Sequence, residues 1–210
     1  MPRLYIDIET LPGRERPDPS EIAPPKNYKD PAKIKAYQQE KVEETYRAQA
    51  LDSMRGQILC VGFAVDNEPA GIIAGADEFE ILSALERLVE NQPNETPLVW
   101  IGHNIKNFDL QWLWRKAIQQ GFKSLAESIP RYRFDKRVVD TAELWAGPDI
   151  RAYCKLDDIA RFLGFEGKQD MDGSQVYDNY LAGNHEAVLD YCKADVELTR
   201  KIHKAMLFER

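Results

Sequence analysis

No stretch of this chain is long and apolar enough to cross a bilayer as a helix. The longest apolar run, Ile58 to Val65, is eight residues, against the roughly 20 that a span requires. The opening residues, MPRLYIDIET, place acids where a secretory leader needs unbroken apolar sequence. Cysteine is scarce: Cys60, Cys154 and Cys192 are odd in number and form no CxxC pair. That excludes a disulfide framework and a thiolate zinc module, and the three read as reduced, core-filling thiols. A cytoplasmic location without membrane contact is therefore expected. His103, His185 and His203 are scattered and read as structural or solvent-facing rather than as ligands. A basic excess is also missing, with 35 acidic against 28 basic side chains and a net charge of −7. Taken alone, that balance argues mildly against a nucleic-acid partner.

What is present suits one ordered domain spanning 1–210. The chain has 210 residues, 43% hydrophobic and 30% charged, enough for a core without staples. It opens on an alternating strand in which Leu4, Ile6 and Ile8 interleave with Tyr5, Asp7 and Glu9. Pro12, Pro17, Pro19, Pro24, Pro25 and Pro31 then dictate an extended loop. Asp30-Pro31 is a helix start, and a polar helix follows to about Leu51 with a thin stripe of Ile34, Tyr37, Val42 and Tyr46. It reads as a solvated helix over the body of the domain, and residues 12–56 as an insertion. Strands are expected at 57–65, 70–74, 97–101 and 138–140. Helices are expected at 78–90, with Phe79, Leu82, Leu85 and Val89 inward, and at 109–120, 155–163, 175–181 and 185–207. The pattern gives an α/β fold, a mixed sheet covered by helices.

Four acids stand where a carboxylate has no evident structural task. Asp7 and Glu9 project from the same face of the first strand, and two close like charges there are costly without a cation. The wet face of an edge strand is the plainer reading. Asp109 ends the run GHNIKNFD and opens an amphipathic helix with Leu110, Leu113, Trp114 and Ile118; helix capping alone would account for it. Asn104, in the same turn, could order the turn and reach a ligand. Tyr191 and Asp195 are stacked four residues apart, and Asp195 is in register with Val188, Cys192, Leu198 and Ile202, so it points inward. A basic partner or a shared metal would satisfy it. Hard oxygen donors without clustered histidines or thiols select Mg²⁺ or Mn²⁺ over zinc.

In this order the residues resemble the DEDD superfamily of 3′→5′ exonucleases, of ribonuclease H-like fold. The motifs are Asp7-Ile8-Glu9-Thr10, Asn104-x3-Phe108-Asp109 and Tyr191-x3-Asp195. GHNIKNFD is similar to the proofreading domain of family B DNA polymerases. The third motif matches the tyrosine subgroup, since the position the sister subgroup gives to histidine is Asp190 here. The resemblance implies two metal ions, with Asp7 shared, Glu9 and Asp195 completing the first site and Asp109 holding the second. Tyr191 would orient the attacking water, and the product would be a nucleoside 5′-monophosphate. It further implies that Thr10 and Leu11 meet the terminal nucleotide, and that Asn104 and Phe108 line the channel; plain core packing is the other reading of Phe108.

The chain departs from the family in its 12–56 insertion, whose helix is expected either to wall the mouth of the site and favour single strands, or to be a surface decoration or oligomer contact. Arg131-Tyr132-Arg133-Phe134-Asp135-Lys136-Arg137 interleaves bases with aromatics. It suits a backbone-tracking groove through Arg131 and Arg133, or else is a solvated loop. The leading expectation is an enzyme acting on DNA with a free 3′ end, single strands preferred. The alternatives are an exoribonuclease and a non-catalytic nucleic-acid-binding module. A proofreading role would need a separate polymerase partner. Two divalent ions would cancel the four carboxylates, which makes the acidic balance a poor guide to the partner.

Overall fold

The computed structural model describes residues 1–92, 97–149, 152–167 and 171–209. It divides into two units, one of residues 1–9 and 58–210 and one of residues 10–57. The first strand, β1 (Arg3–Leu11), carries its inward alternation on both sides. Leu4, Ile6 and Ile8 join the larger core cluster, and Tyr5 joins the opposite one.

In the smaller unit, the polar helix α1 (Pro31–Ala48) starts at Asp30, whose side chain accepts from the Ala32 amide. None of its residues is fully buried. Polar contacts hold it: Tyr46 donates to the Gly13 carbonyl at 2.9 Å, and Gln49 Oε1 accepts from the Gly13 amide at 3.0 Å. Arg16 pairs with Glu43 and lies over the Tyr46 ring. Gly13 must be glycine, because a Cβ there would sit 2.2 Å from the Arg55 carbonyl oxygen.

In the larger unit, β2 (Gln57–Val65) runs antiparallel to the short β3 (Gly71–Ile73), with Val61 opposite Ile73. Helix α2 (Glu78–Glu90), capped by Asp77, follows. Strand β4 (Val99–Gly102) pairs parallel to β1, with Leu4 opposite Trp100. Next come α3 (Asp109–Gln120) and α4 (Lys123–Ser128), then β5 (Val138–Asp140), parallel to β4. Helices α5 (Thr141–Ala146), α6 (Leu156–Phe162), α7 (Val176–Leu181) and α8 (His185–Met206) complete the order. The sheet is mixed, in the order β3-β2-β1-β4-β5.

β1 is therefore the central strand, and the edge-strand reading of Asp7 and Glu9 does not hold. Residues of α2, α3 and α4 fill the core on the Leu4–Ile6–Ile8 side, while Val196 of α8 packs on the Tyr5 side. The approach of α8 depends on Gly62 of β2: a Cβ there would lie 2.9 Å from Val196 Cγ2 and 3.0 Å from the Cys192 carbonyl oxygen.

Three expectations need correction. Phe79 is 56% exposed and tilts against Phe122, because the inward stripe of α2 is Ile81, Leu82 and Leu85. Ile118 is 57% exposed, since the buried face of α3 runs through Leu110, Leu113 and Ala117. Helices α4 and α5 were not anticipated; each is six residues long, too short to display a helical period. Among the described residues no helix is long and apolar enough to cross a membrane.

Candidate active site

Alternation along β1 turns Asp7 and Glu9 to the face that α8 covers, because Ile6 and Ile8 occupy the other. From α8, Cys192 comes to the same place. A carboxylate oxygen of Asp7, one of Glu9 and Cys192 Sγ all lie within 4.8 Å of one another. The thiol donates to the Asp7 carbonyl oxygen at 3.6 Å. Burial pushes the Cys192 thiol well up, with neighbouring Cys60 and the Asp7 and Glu9 charges adding to the effect.

Asp109 arrives from the first turn of α3. It is 3% exposed, and its Oδ1 accepts the Ile8 amide at 3.0 Å. Burial pushes its carboxyl up to about 7, against the lowering effect of hydrogen bonds from its own amide and that of Ile8; the charges of Asp140 and Asp195 raise it further. Asp195 is buried on the inward face of α8. Asp7 Oδ2 and Asp195 Oδ1 are buried atoms that receive no hydrogen bond, although both residues have other polar or electrostatic contacts. One turn before Asp195, the Tyr191 phenol is raised far above its ordinary value by burial, then by Asp195, Glu9 and Asp7. It stays neutral over the physiological range.

The fold thus gathers Asp7, Glu9, Asp109, Tyr191 and Asp195 from β1, α3 and α8. The remaining expected residues have other surroundings. Asn104 adopts a positive φ of 62°; its amide donates to Asp140 Oδ1 at 2.9 Å, and its Oδ1 accepts from Asn107 at 2.9 Å. Phe108 is half-buried against the core, 5.8 Å from the Trp112 ring. Thr10 and Leu11, in the smaller unit, are buried, and Thr10 donates to the Ala50 carbonyl at 2.6 Å. Arg131 lies 3.9 Å over the Trp114 ring, Arg133 pairs with Glu143 at 2.5 Å and Arg137 with Asp135 at 2.7 Å. Tyr132 and Phe134 remain exposed, edge to face with each other.

Three neighbours escaped the sequence reading. Asp140 is buried, caps α5 and also accepts the amides of Asn104 and Lys106. Its position at a strand end before Thr141 and Glu143 was a readable cap signal. Cys192 shares the inward register of Asp195, which places it near the acids even though a lone thiol reads as filler. Tyr153 stands in the field of Asp140, Asp109 and Glu143, which raises its phenol after burial does. Its ring lies 6.1 Å from that of His103, which contacts Thr141 Oγ1 and the Cys154 carbonyl. No periodic pattern marked it.

Comparison with known proteins bears on the fold and the family. No curated protein matches the chain. Among solved structures, the family B DNA polymerase from the hyperthermophilic archaeon Pyrobaculum calidifontis superposes with a TM-score of 0.60 at 16% identity, over 99% of this chain and 24% of that one. At that identity the likeness shows the fold alone, a ribonuclease H-like sheet flanked by helices, and this chain spans about a quarter of the polymerase. A family model matches residues 74–203, well over half of the chain, including Asp109, Tyr191 and Asp195 but not the β1 acids. The chain belongs to that family, the predicted 3′-5′ exonucleases related to the exonuclease domain of PolB.

Proposed function

We propose that this protein is a metal-dependent 3′→5′ exonuclease that removes nucleoside 5′-monophosphates from DNA, with single strands preferred. The observation that carries the reading is the convergence of Asp7, Glu9, Asp109 and Asp195, from three separate elements, beside a neutral tyrosine. Four carboxylates brought together in a largely dry place repel one another unless a cation joins them. Hard oxygen donors of this kind fit Mg²⁺ or Mn²⁺.

Asp7, Glu9 and Asp195 would hold one ion and Asp109, with Asp7, the second. Two such ions, when bound, supply an activated water and neutralise charge on the leaving oxygen. Tyr191 keeps its proton and donates or accepts a hydrogen bond that orients the attacking water. It does not act as a base, since burial and then the charges of Asp195, Glu9 and Asp7 hold the phenol neutral. The Ile8 amide fixes one oxygen of Asp109, leaving the other for an ion. Asp140 holds the Asn104 turn through two amides, and Asn104 and Phe108 border the substrate from that side. Thr10 and Leu11 meet the terminal nucleotide, and Arg131 and Arg133 the more distant backbone, exchanging their present partners for phosphate.

The 12–56 region belongs to the same domain as an insertion. The test is degradation of DNA and RNA oligonucleotides labelled at the 3′ or the 5′ end. Stepwise shortening of the 5′-labelled DNA, with the 3′ label released first as a mononucleotide, is expected. Internal cuts, or an intact substrate, would overturn the reading.

A further inference from the structure

A cavity adjoins Tyr191 and Asp195, on the side of α7 rather than of the basic loop. Its volume is about 880 Å³, within the range of ligand-binding clefts. That volume is enough for a few nucleotides. One wall is α8, and the other runs from Met171 to Asn179.

The outer wall is fixed by its own side chains. Asn184 Nδ2 donates to Asn179 Oδ1 at 3.1 Å, and Asn179 Nδ2 donates to the Gln175 carbonyl at 3.0 Å and to Met171 Sδ at 3.4 Å. A wall ordered before binding loses little entropy when a ligand arrives. On α8, Lys193 and Lys201 line the cavity and make no ion pair among the described residues. The helical rise puts them about 12 Å apart, with Lys201 about 9 Å beyond Asp195. Glu166, Asp190 and Glu197 also line it, and of these Glu197 is answered by Arg200 at 2.5 Å and by the Ala70 amide at 2.9 Å. Ammonium groups spaced along a helix, facing a thioether and amides, match the two parts of a nucleotide chain: spaced phosphates and flat bases.

We infer that this cavity receives the single strand upstream of its reacting 3′ end, with Lys193 and Lys201 on two separate, non-adjacent phosphates and Met171 against a base. The inference rests on the exonuclease reading and moves the main strand contacts from the 131–137 loop to α7 and α8.

The experiment is fluorescence anisotropy of labelled oligo-dT and oligo-rU in chelator, over a salt series, for the wild type and the double variant Lys193→Gln/Lys201→Gln. Each lost phosphate contact lowers the single-strand salt slope by about 0.7. The double variant should therefore lose about 1.4 of slope and bind about tenfold more weakly at low salt. Lys123→Gln, on a separate exposed surface, should bind as the wild type does. If the wild type degrades the strand while the double variant keeps its affinity and slope, this inference fails and the exonuclease reading stands. A wild type that neither binds nor degrades either oligonucleotide overturns both. Equal loss on dT and rU places the contacts on phosphate and base rather than on the 2′-hydroxyl and supports the inference.

Discussion

The Ile8 amide donates to Asp109 Oδ1 at 3.0 Å, so the strand that carries Asp7 and Glu9 is tied directly to the helix that supplies the next acid. The bond does two things at once. It satisfies a buried carboxylate oxygen and sets the position of α3 relative to β1. Asp109→Asn keeps an acceptor at that place, whereas Asp109→Ala leaves the Ile8 amide buried and unsatisfied, at a cost of about 1–3 kcal/mol. Both variants should lose at least about a hundredfold in rate, as expected when a metal-holding or charge-placing group goes. Only the alanine should lower the denaturation midpoint. Equal midpoints for the two would show that the hydrogen bond has no structural role.

The same carboxyl makes metal-free stability pH-dependent. Its folded-state value is raised from 3.8 to about 7, so between those values the folded chain holds a proton that the unfolded chain releases. The group's contribution is complete below the ordinary aspartate range and is lost as pH rises towards and through about 7. In chelator, Asp109→Asn should therefore gain more stability over the wild type at pH 8 than at pH 5. Comparing variant with wild type at each pH cancels His203, whose buried ring, held below its ordinary value, works in the opposite direction. Adding Mg²⁺ or Mn²⁺ should raise the wild-type melting temperature more at pH 8. Thermal scans check both, and a pH-independent gap between variant and wild type would contradict the assignment.

Gly62 sets the distance between α8 and the sheet, and through α8 the positions of Tyr191 and Asp195. Gly62→Ala forces Val196 and the Cys192 backbone away and should destabilise by about 1–3 kcal/mol. The same displacement should weaken metal binding, measured by calorimetry, because Asp195 moves with the helix. A loss of stability with unchanged metal affinity would leave Gly62 a packing residue only.

Tyr191→Phe removes the hydroxyl and little else. The rate should fall about a hundredfold, the usual cost of a misplaced reactant, while melting temperature and metal affinity stay as in the wild type. A fully active phenylalanine variant would show that the hydroxyl does not orient the water.

Much of this site could be read from the sequence because its carriers are regular. Period two put Asp7 and Glu9 on one face of a strand, and period 3.6 put Asp195 among Val188, Cys192 and Ile202. Both placements depend only on local geometry, and the fold kept them. What stayed hidden depends on tertiary neighbours. Nothing local says that β1 is central, because burial of both its faces is decided by α2, α3 and α8. Tyr153 enters the field of Asp109 and Asp140 from a region without period. Phe79 and Ile118 show the opposite limit: apolar residues at helical spacing that the actual packing stripe passes by. Arg131 and Arg133 were legible as a basic loop but not as groups engaged by Trp114 and Glu143, since both partners come from other elements.

The most direct test of the central claim is the hydrolysis of a 5′-labelled single-stranded DNA oligonucleotide by the wild type and by Asp7→Ala, each with Mg²⁺, Mn²⁺ or chelator. The account predicts a ladder shortening from the 3′ end with the wild type in either metal, and an unchanged oligonucleotide with chelator or with the variant. Cleavage that survives chelation, or an Asp7→Ala enzyme as fast as the wild type, would contradict it.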